Sequence, residues 1–279
     1  MTVAVLQPLL SALQAQAAAE LLAGHLYAVR QACRADPLLV VLPEYWYVPQ
    51  EPEPWWRSFP YRWLRDRARE LGIYLVGGSV PVREEEGRIR NRALCFGPDG
   101  QMLGYYDKRR PMEHERQRGV EPGQGASCFS IGAWRVGVLI CADLWDGTLI
   151  PEGVDLLVVP ADTVVLHAGR RAYARRLWHA LALVRAQERL CVVAVSDRAR
   201  YWDGRRGAGG ASAIVDPAEA APGRVRWGEL MKTLPRGRPG WLYKELDRKR
   251  LEAFRAYRRA RGLALPDGGG ALRGVGEIP

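Results

Sequence analysis

Pro37-Leu38-Leu39-Val40-Val41-Leu42 is an unbroken apolar run that stops at Pro43-Glu44. A run this short, rich in branched side chains and closed by proline, reads as a strand buried on both faces. Such a strand needs cover on both sides, and that constrains the chain to a layered α/β arrangement. Further strands are read at Val3–Leu6, Ile73–Ser79, Asp155–Pro160, Leu190–Val195, Gly209–Asp216 and Trp241–Leu246. Two hairpins are expected. Arg90–Phe96 and Gln101–Asp107 flank Gly97-Pro98-Asp99-Gly100, and Cys128–Ile131 and Trp134–Ile140 flank Gly132-Ala133.

Helical spacing covers residues 10–33, Trp55–Leu71 with Gly72 as its stop, Arg170–Arg189, and a basic stretch at Arg248–Arg261. Pairs of strands alternating with pairs of helices give a layered α/β sandwich. There is no short repeat and no linker, so one domain is expected over residues 1–265. A loose tail follows at 266–279, with Gly268-Gly269-Gly270.

Composition excludes several classes. With 48% hydrophobic residues in 279, the chain has enough apolar surface for a large core and is not disordered. No stretch of about 18 residues is apolar enough to span a bilayer, so no membrane association is expected. Residues 1–19 carry no charged side chain, but there is no basic leader, and Gln7, Pro8, Gln14 and Gln16 interrupt the apolar stretch. The five cysteines are widely spaced and odd in number, which points to free thiols in a reducing cytoplasm. The net charge of +10 comes from basic residues dispersed among acids, as in Arg65-Asp66-Arg67-Ala68-Arg69-Glu70. No nucleic-acid motif accompanies it, so no nucleic-acid partner is expected. Arg224, Arg226, Lys232, Arg236 and Arg238 form a basic stretch broken by Gly and Pro. It reads as an exposed loop, with cover for an anionic group as the alternative.

Three polar residues end apolar strands: Glu44 after Leu38–Leu42, Lys108 after Met102–Tyr106, and Cys141 after Val136–Ile140. The C-terminal end of a buried strand is a rigid platform facing a crevice. A carboxylate, an ammonium and a thiol on such platforms form a base, a cation and a nucleophile. Singly, each has an ordinary structural role; together they suggest covalent catalysis.

Leu42-Pro43-Glu44-Tyr45-Trp46, Tyr106-Asp107-Lys108 and Gly137-Val138-Leu139-Ile140-Cys141-Ala142-Asp143 resemble the three signature segments of the nitrilase superfamily of carbon–nitrogen hydrolases, in that family's order. Gln7, Gly77-Gly78-Ser79, Asn91, Pro122-Gly123, Arg185-Ala186-Gln187-Glu188 and Asp216-Pro217 match as well, so the resemblance covers roughly residues 1–250. It implies an αββα sandwich that pairs into a four-layer homodimer or a higher homo-oligomer. It also implies hydrolysis of a non-peptide carbon–nitrogen bond in a small amide, carbamoyl compound or nitrile, through a cysteine acyl-enzyme with release of ammonia or an amine. Cys141 is then the nucleophile, Glu44 the proton carrier, and Lys108 with the Ala142 N–H the oxyanion partners. No cofactor is required. A second glutamate of the family falls on Glu115, with Glu113 as competitor.

Two departures from the family pattern stand out. Pro151-Glu152 comes late after Cys141, which implies a shortened helix there, and Arg189 stands in the place of an asparagine. The shortening motivates the alternative of a catalytically weak binding or assembly module. Trp46 and Trp145 are candidate substrate-pocket residues, with core or interface packing as their alternative. His114, His167 and His179 match no ligand spacing, so no metal site is expected.

Overall fold

The computed structural model describes residues 1–10, 15–125, 127–220 and 227–263. The expected tail at 266–279 lies outside these residues, as do Arg224 and Arg226. In the first half, strands β1 (Thr2–Gln7), β2 (Leu38–Val41), β3 (Tyr74–Val76), β4 (Val80–Arg83), β5 (Ile89–Phe96) and β6 (Met102–Asp107) are joined by helices α1 (Ala15–Ala32) and α2 (Phe59–Leu71). A short helix, α3 (Glu113–Arg116), leads to β7 (Ser127–Ile131), β8 (Trp134–Val138), β9 (Leu156–Pro160) and β10 (Val164–Val165). Helix α4 (Arg171–Arg189) precedes β11 (Val192–Ser196), β12 (Tyr201–Trp202), β13 (Gly207–Ala208) and β14 (Ala213–Val215). The described chain ends with α5 (Trp227–Leu230), β15 (Met231–Thr233), β16 (Gly240–Glu245) and α6 (Arg248–Ala260).

Two sheets form the centre. One runs β16-β1-β2-β3-β5-β4, with β6 paired to β5; the other runs β15-β14-β11-β9-β8-β7. Each has a parallel heart, β1-β2-β3 and β8-β9-β11, flanked by antiparallel strands. Strand alternation divides the burial. Val3, Val5, Leu39 and Val41 face the second sheet, while Ala4, Leu6, Leu38 and Val40 face α1 and α2 through Leu22, Leu26 and Leu64. The outer face of the second sheet packs against α4 and α6 through Leu181, Ala182 and Phe254. The layers are therefore helix, sheet, sheet, helix: the expected αββα sandwich.

Helix α2 starts where Ser58 accepts a hydrogen bond from the Tyr61 N–H, and it stops at Gly72 in the left-handed conformation. Both hairpins form as expected. The structure differs in four places. Val80–Arg83 is an additional strand, short and only half apolar, with Pro81 tolerated at the sheet edge. The loops around residues 164 and 201–208 form a small ribbon, β10-β13-β12. The strand expected over Gly209–Asp216 shrinks to Ala213–Val215, because Gly209 and Gly210 make close backbone contacts instead. After Cys141 there is no α-helix but two 3₁₀ turns, Cys141–Trp145 and Gly147–Leu149. Among the described residues no helix is long and apolar enough to cross a membrane.

Candidate active site

Glu44 leaves the end of β2 and is held from two sides. Its N–H donates to the Ala161 carbonyl at 3.2 Å, and the next N–H, of Tyr45, donates to Ser79 at 2.7 Å. Gly78 makes this turn possible. Its φ is +65°, and a Cβ there would stand 2.1 Å from the Pro43 carbonyl oxygen. Lys108 leaves the end of β6, with its N–H on Asn91 O at 2.9 Å and its carbonyl accepting from Gly123 at 2.8 Å. Glu115 lies on α3 and caps it, accepting from the Met112 N–H at 2.6 Å.

These side chains meet. Lys108 Nζ lies 2.8 Å from Glu44 Oε1 and 2.7 Å from Glu115 Oε2. Asn91 Nδ2 donates to Glu44 Oε1 at 2.8 Å and to Glu115 Oε1 at 2.9 Å. Tyr45 donates its hydroxyl to Glu115 Oε1 at 2.6 Å. Glu44, Lys108 and Glu115 are each 1% exposed, so none of this is screened by water. The competitor Glu113 is exposed and pairs with Arg116.

Cys141 follows β8 with φ at +47°, a conformation that costs a non-glycine residue about 1–3 kcal/mol. The thiol lies 3.8 Å from the Asp162 carbonyl oxygen and within interaction range of both Glu44 and Lys108. Asp143 fixes the turn. Its carboxylate accepts from the N–H groups of Arg110 (2.7 Å), Arg109 (3.3 Å) and Ile140 (3.3 Å), and from the Tyr106 hydroxyl (2.9 Å). One side chain thus ties the exit of β6, which carries Lys108, to the turn that carries Cys141. Arg185 on α4 supports the far side through Leu144 O at 2.9 Å and Trp145 O at 2.7 Å, and Arg189 reaches Gly147 O at 2.6 Å.

The electrostatics follow from one cation between two carboxylates in a dry site. Burial pushes the Glu44 carboxyl up to about 7, against the pull of Lys108 and with the help of the Glu115 charge. Burial pushes Glu115 up too, but the Lys108 charge and the hydrogen bonds from Lys108, Tyr45 and Met112 hold it below the usual carboxylate range. Burial opposes the Lys108 charge, yet Glu44, Cys141 and Glu115 together hold it above its ordinary value. Burial and the Glu44 charge push the Cys141 thiol well up. Both influences favour the thiol of Cys141 over its thiolate.

The cavity above these groups holds about 550 Å³, its mouth included. Tyr45, Met112, His114, Trp145, Val164 and Trp178 are among its walls, and Ala142 adjoins Cys141 in the lining. Trp46 does not line it. Its ring is buried, with Nε1 on Gly77 O at 2.7 Å and Trp63 alongside, because the left-handed Tyr45 turns the next side chain into the outer core. Among the described residues no group of three His, Cys, Asp or Glu side chains is placed to hold a metal ion. His114 sits in the cavity wall, and burial together with the Arg175 charge lowers His179 to about 4. Sequence reasoning assigned no role to Tyr45, Asn91 or Asp143. Tyr45 and Asp143 stand in the signature segments, but their hydrogen bonds cross between elements far apart in the chain.

The fold and this cluster define the αββα class of nitrilase-superfamily sandwiches. The carbon–nitrogen hydrolase family profile matches residues 2–256, and the chain belongs to that family. It is 29% identical over 204 residues to omega-amidase NIT2 of Homo sapiens, covering 69% of this chain and 68% of that protein. Nit3 of Saccharomyces cerevisiae, a nitrilase-superfamily member, superposes with a TM-score of 0.72 at 22% identity over 93% of both chains. An amidase from Nesterenkonia sp. AN1, with acrylamide added to its active-site cysteine, superposes with a TM-score of 0.67 at 20% identity over 94% of this chain and 99% of that one.

Proposed function

We propose that the protein hydrolyses the carbon–nitrogen bond of a small amide through a Cys141 acyl-enzyme. The observation that carries this reading is the dry Glu44–Lys108–Glu115 network beside a strained cysteine at the floor of a cavity. Glu44 takes the thiol proton as sulfur attacks the carbonyl carbon. The tetrahedral oxyanion is held by Lys108 Nζ and the Ala142 N–H. Glu44 then protonates the leaving nitrogen, which departs as ammonia or an amine. The same carboxylate next takes a proton from water, which attacks the thioester; the acid leaves and the thiol is restored. Glu115 orients Lys108 and, by its charge, keeps Glu44 basic enough for these transfers.

An amide is favoured over a nitrile or carbamoyl compound because the relatives in sequence are omega-amidases, and the structural neighbour with a modified cysteine is an amidase. The enclosed space of about 140 Å³ suits a small substrate. The missing helix after Cys141 is offset by Asp143, Arg185 and Arg189, which hold the turn from both sides. That support favours catalysis over a binding-module role. The resemblance also implies a homodimer, and the widely spaced, odd-numbered cysteines point to a reducing cytoplasm. In keeping with a dimer, Tyr173 and Val184 on α4 and Trp145 beside it leave apolar surface exposed.

The test is alkylation with iodoacetamide at neutral pH, alongside ammonia release from a panel of small amides and nitriles. Selective labelling of Cys141, slowed by Glu44→Gln, together with turnover of amides, supports the proposal. Equal slow labelling of all five cysteines, with no turnover, overturns it.

A further inference from the structure

We propose that a second cavity, lined by Arg175, Arg176, Arg200 and Arg236, binds a compact phosphate-bearing anion of the pyrophosphate type. The hollow encloses about 190 Å³, and its remaining lining is Ala172 and Gly209, with no Asp or Glu. The four arginines come from three separate segments: the first turns of α4, the loop after β11, and the 3₁₀ turn before β16. Arg176, Arg200 and Arg236 are exposed and Arg175 is half-buried. Sheltered Arg92 pairs with Asp107 and Glu84, and Arg255 with Asp155, whereas Arg175 bonds only to neutral oxygens among the described residues. Four guanidinium groups around one hollow repel one another unless an anion joins them.

The backbone is arranged to keep them there. The Arg200 N–H donates to Gly237 O at 2.7 Å, and a Cβ on Gly210 would stand 2.6 Å from the Gly237 Cα, so the two loops touch through glycine. Arg236 is held at φ +50°, a strained conformation for arginine. Arg175 is tethered by Nε to Gly210 O at 3.1 Å and by Nη2 to Thr233 Oγ1 at 3.3 Å and Leu234 O at 2.7 Å. Among the described residues its Nη1 makes no hydrogen bond to the protein. Burial, and then the Arg200 charge, lower the pKa of Arg175, the mark of a cation among cations. A planar fork engages carboxylate or phosphate oxygens two at a time, but each phosphorus of a pyrophosphate carries three terminal oxygens and can serve several forks at once, where a carboxylate has only two. This hollow lies behind the catalytic cavity. Gly209 lines it and donates to Thr163 Oγ1 at 3.1 Å, and Thr163 lines the catalytic side.

The test is calorimetric titration of the full-length protein with sodium pyrophosphate at low salt, with citrate as the carboxylate arm. Saturable binding is expected, weaker by about tenfold in Arg176→Ala and in Arg236→Ala, since each removes charge-assisted hydrogen bonds. Both residues are exposed, so the fold tolerates the change. Arg259→Ala, on the exposed side of α6, is expected to bind as the parent does. Three results would overturn the proposal: no saturable heat, equal affinity in all three variants, or citrate binding as tightly as pyrophosphate.

Discussion

Lys108 Nζ stands 2.8 Å from Glu44 Oε1, and both side chains are almost sealed from water. The same ammonium also serves Glu115, so one positive charge answers two carboxylates. The deficit falls on Glu44, which burial moves up to about 7, and not on Glu115, which Tyr45 and Met112 also stabilise. The two glutamates are thereby pushed apart, Glu44 above and Glu115 below the usual carboxylate range.

That split predicts a pH profile. Glu44 acts as a base only when ionised, so kcat/KM should rise with pH through about 7. In Glu115→Gln a neighbouring negative charge is removed, and Lys108 pairs with Glu44 alone. Both effects lower the Glu44 pKa, so the acid limb should move to lower pH. A kcat/KM profile from pH 5 to 9 reads the shift; an unmoved or alkaline-shifted limb contradicts the assigned coupling.

Cys141→Ser should lower kcat by on the order of 10⁴-fold or more, as expected when a covalent nucleophile is replaced. The substitution is nearly isosteric at a buried position, so unfolding in urea should be almost unchanged. Full activity in this variant would remove the nucleophile from the proposed reaction.

Much of this was legible in advance, for physical reasons. Leu38–Leu42 and Val136–Ile140 are apolar runs whose stable environment is a covered sheet, so their successors Glu44 and Cys141 had to lie at strand ends. Lys108 followed from the hairpin, and Glu115 only from the resemblance to the nitrilase superfamily. What stayed hidden depends on backbone sign and on long-range hydrogen bonds. Nothing in Glu44-Tyr45-Trp46 states that Tyr45 takes φ +54°, which sends Trp46 into the core and leaves Tyr45 at the cavity. The ribbon β10-β13-β12 consists of two-residue strands, too short for any periodicity.

Gly78→Ala should test the seat of Glu44. A Cβ there meets the Pro43 carbonyl at 2.1 Å, in a left-handed conformation that alanine resists. A loss of about 1–3 kcal/mol in stability is expected, with a fall in kcat as Glu44 is displaced from Lys108. Urea unfolding and steady-state kinetics read the two effects. Gly87→Ala is the control: it shares a positive φ but has open space around it, and should lower stability without touching kcat.

Val184→Glu addresses assembly. Tyr173 and Val184 lie eleven residues apart, close to three helical turns, so both project from one face of α4. They are 64% and 46% exposed, on a helix whose opposite face packs Ala182 and Ala186 into the core. If that face joins two copies, a buried glutamate from each protomer across a two-fold axis places like charges together without partners. Sedimentation velocity should then show a dimer for the parent chain and a dissociating species for the variant, with the far-ultraviolet circular dichroism spectrum unchanged. Because Arg185, the next residue along α4, holds the Cys141 turn through Leu144 and Trp145, the loss of the interface should also loosen that turn and lower kcat. A parent chain that sediments as a monomer, or a variant that remains dimeric, excludes this face as the interface.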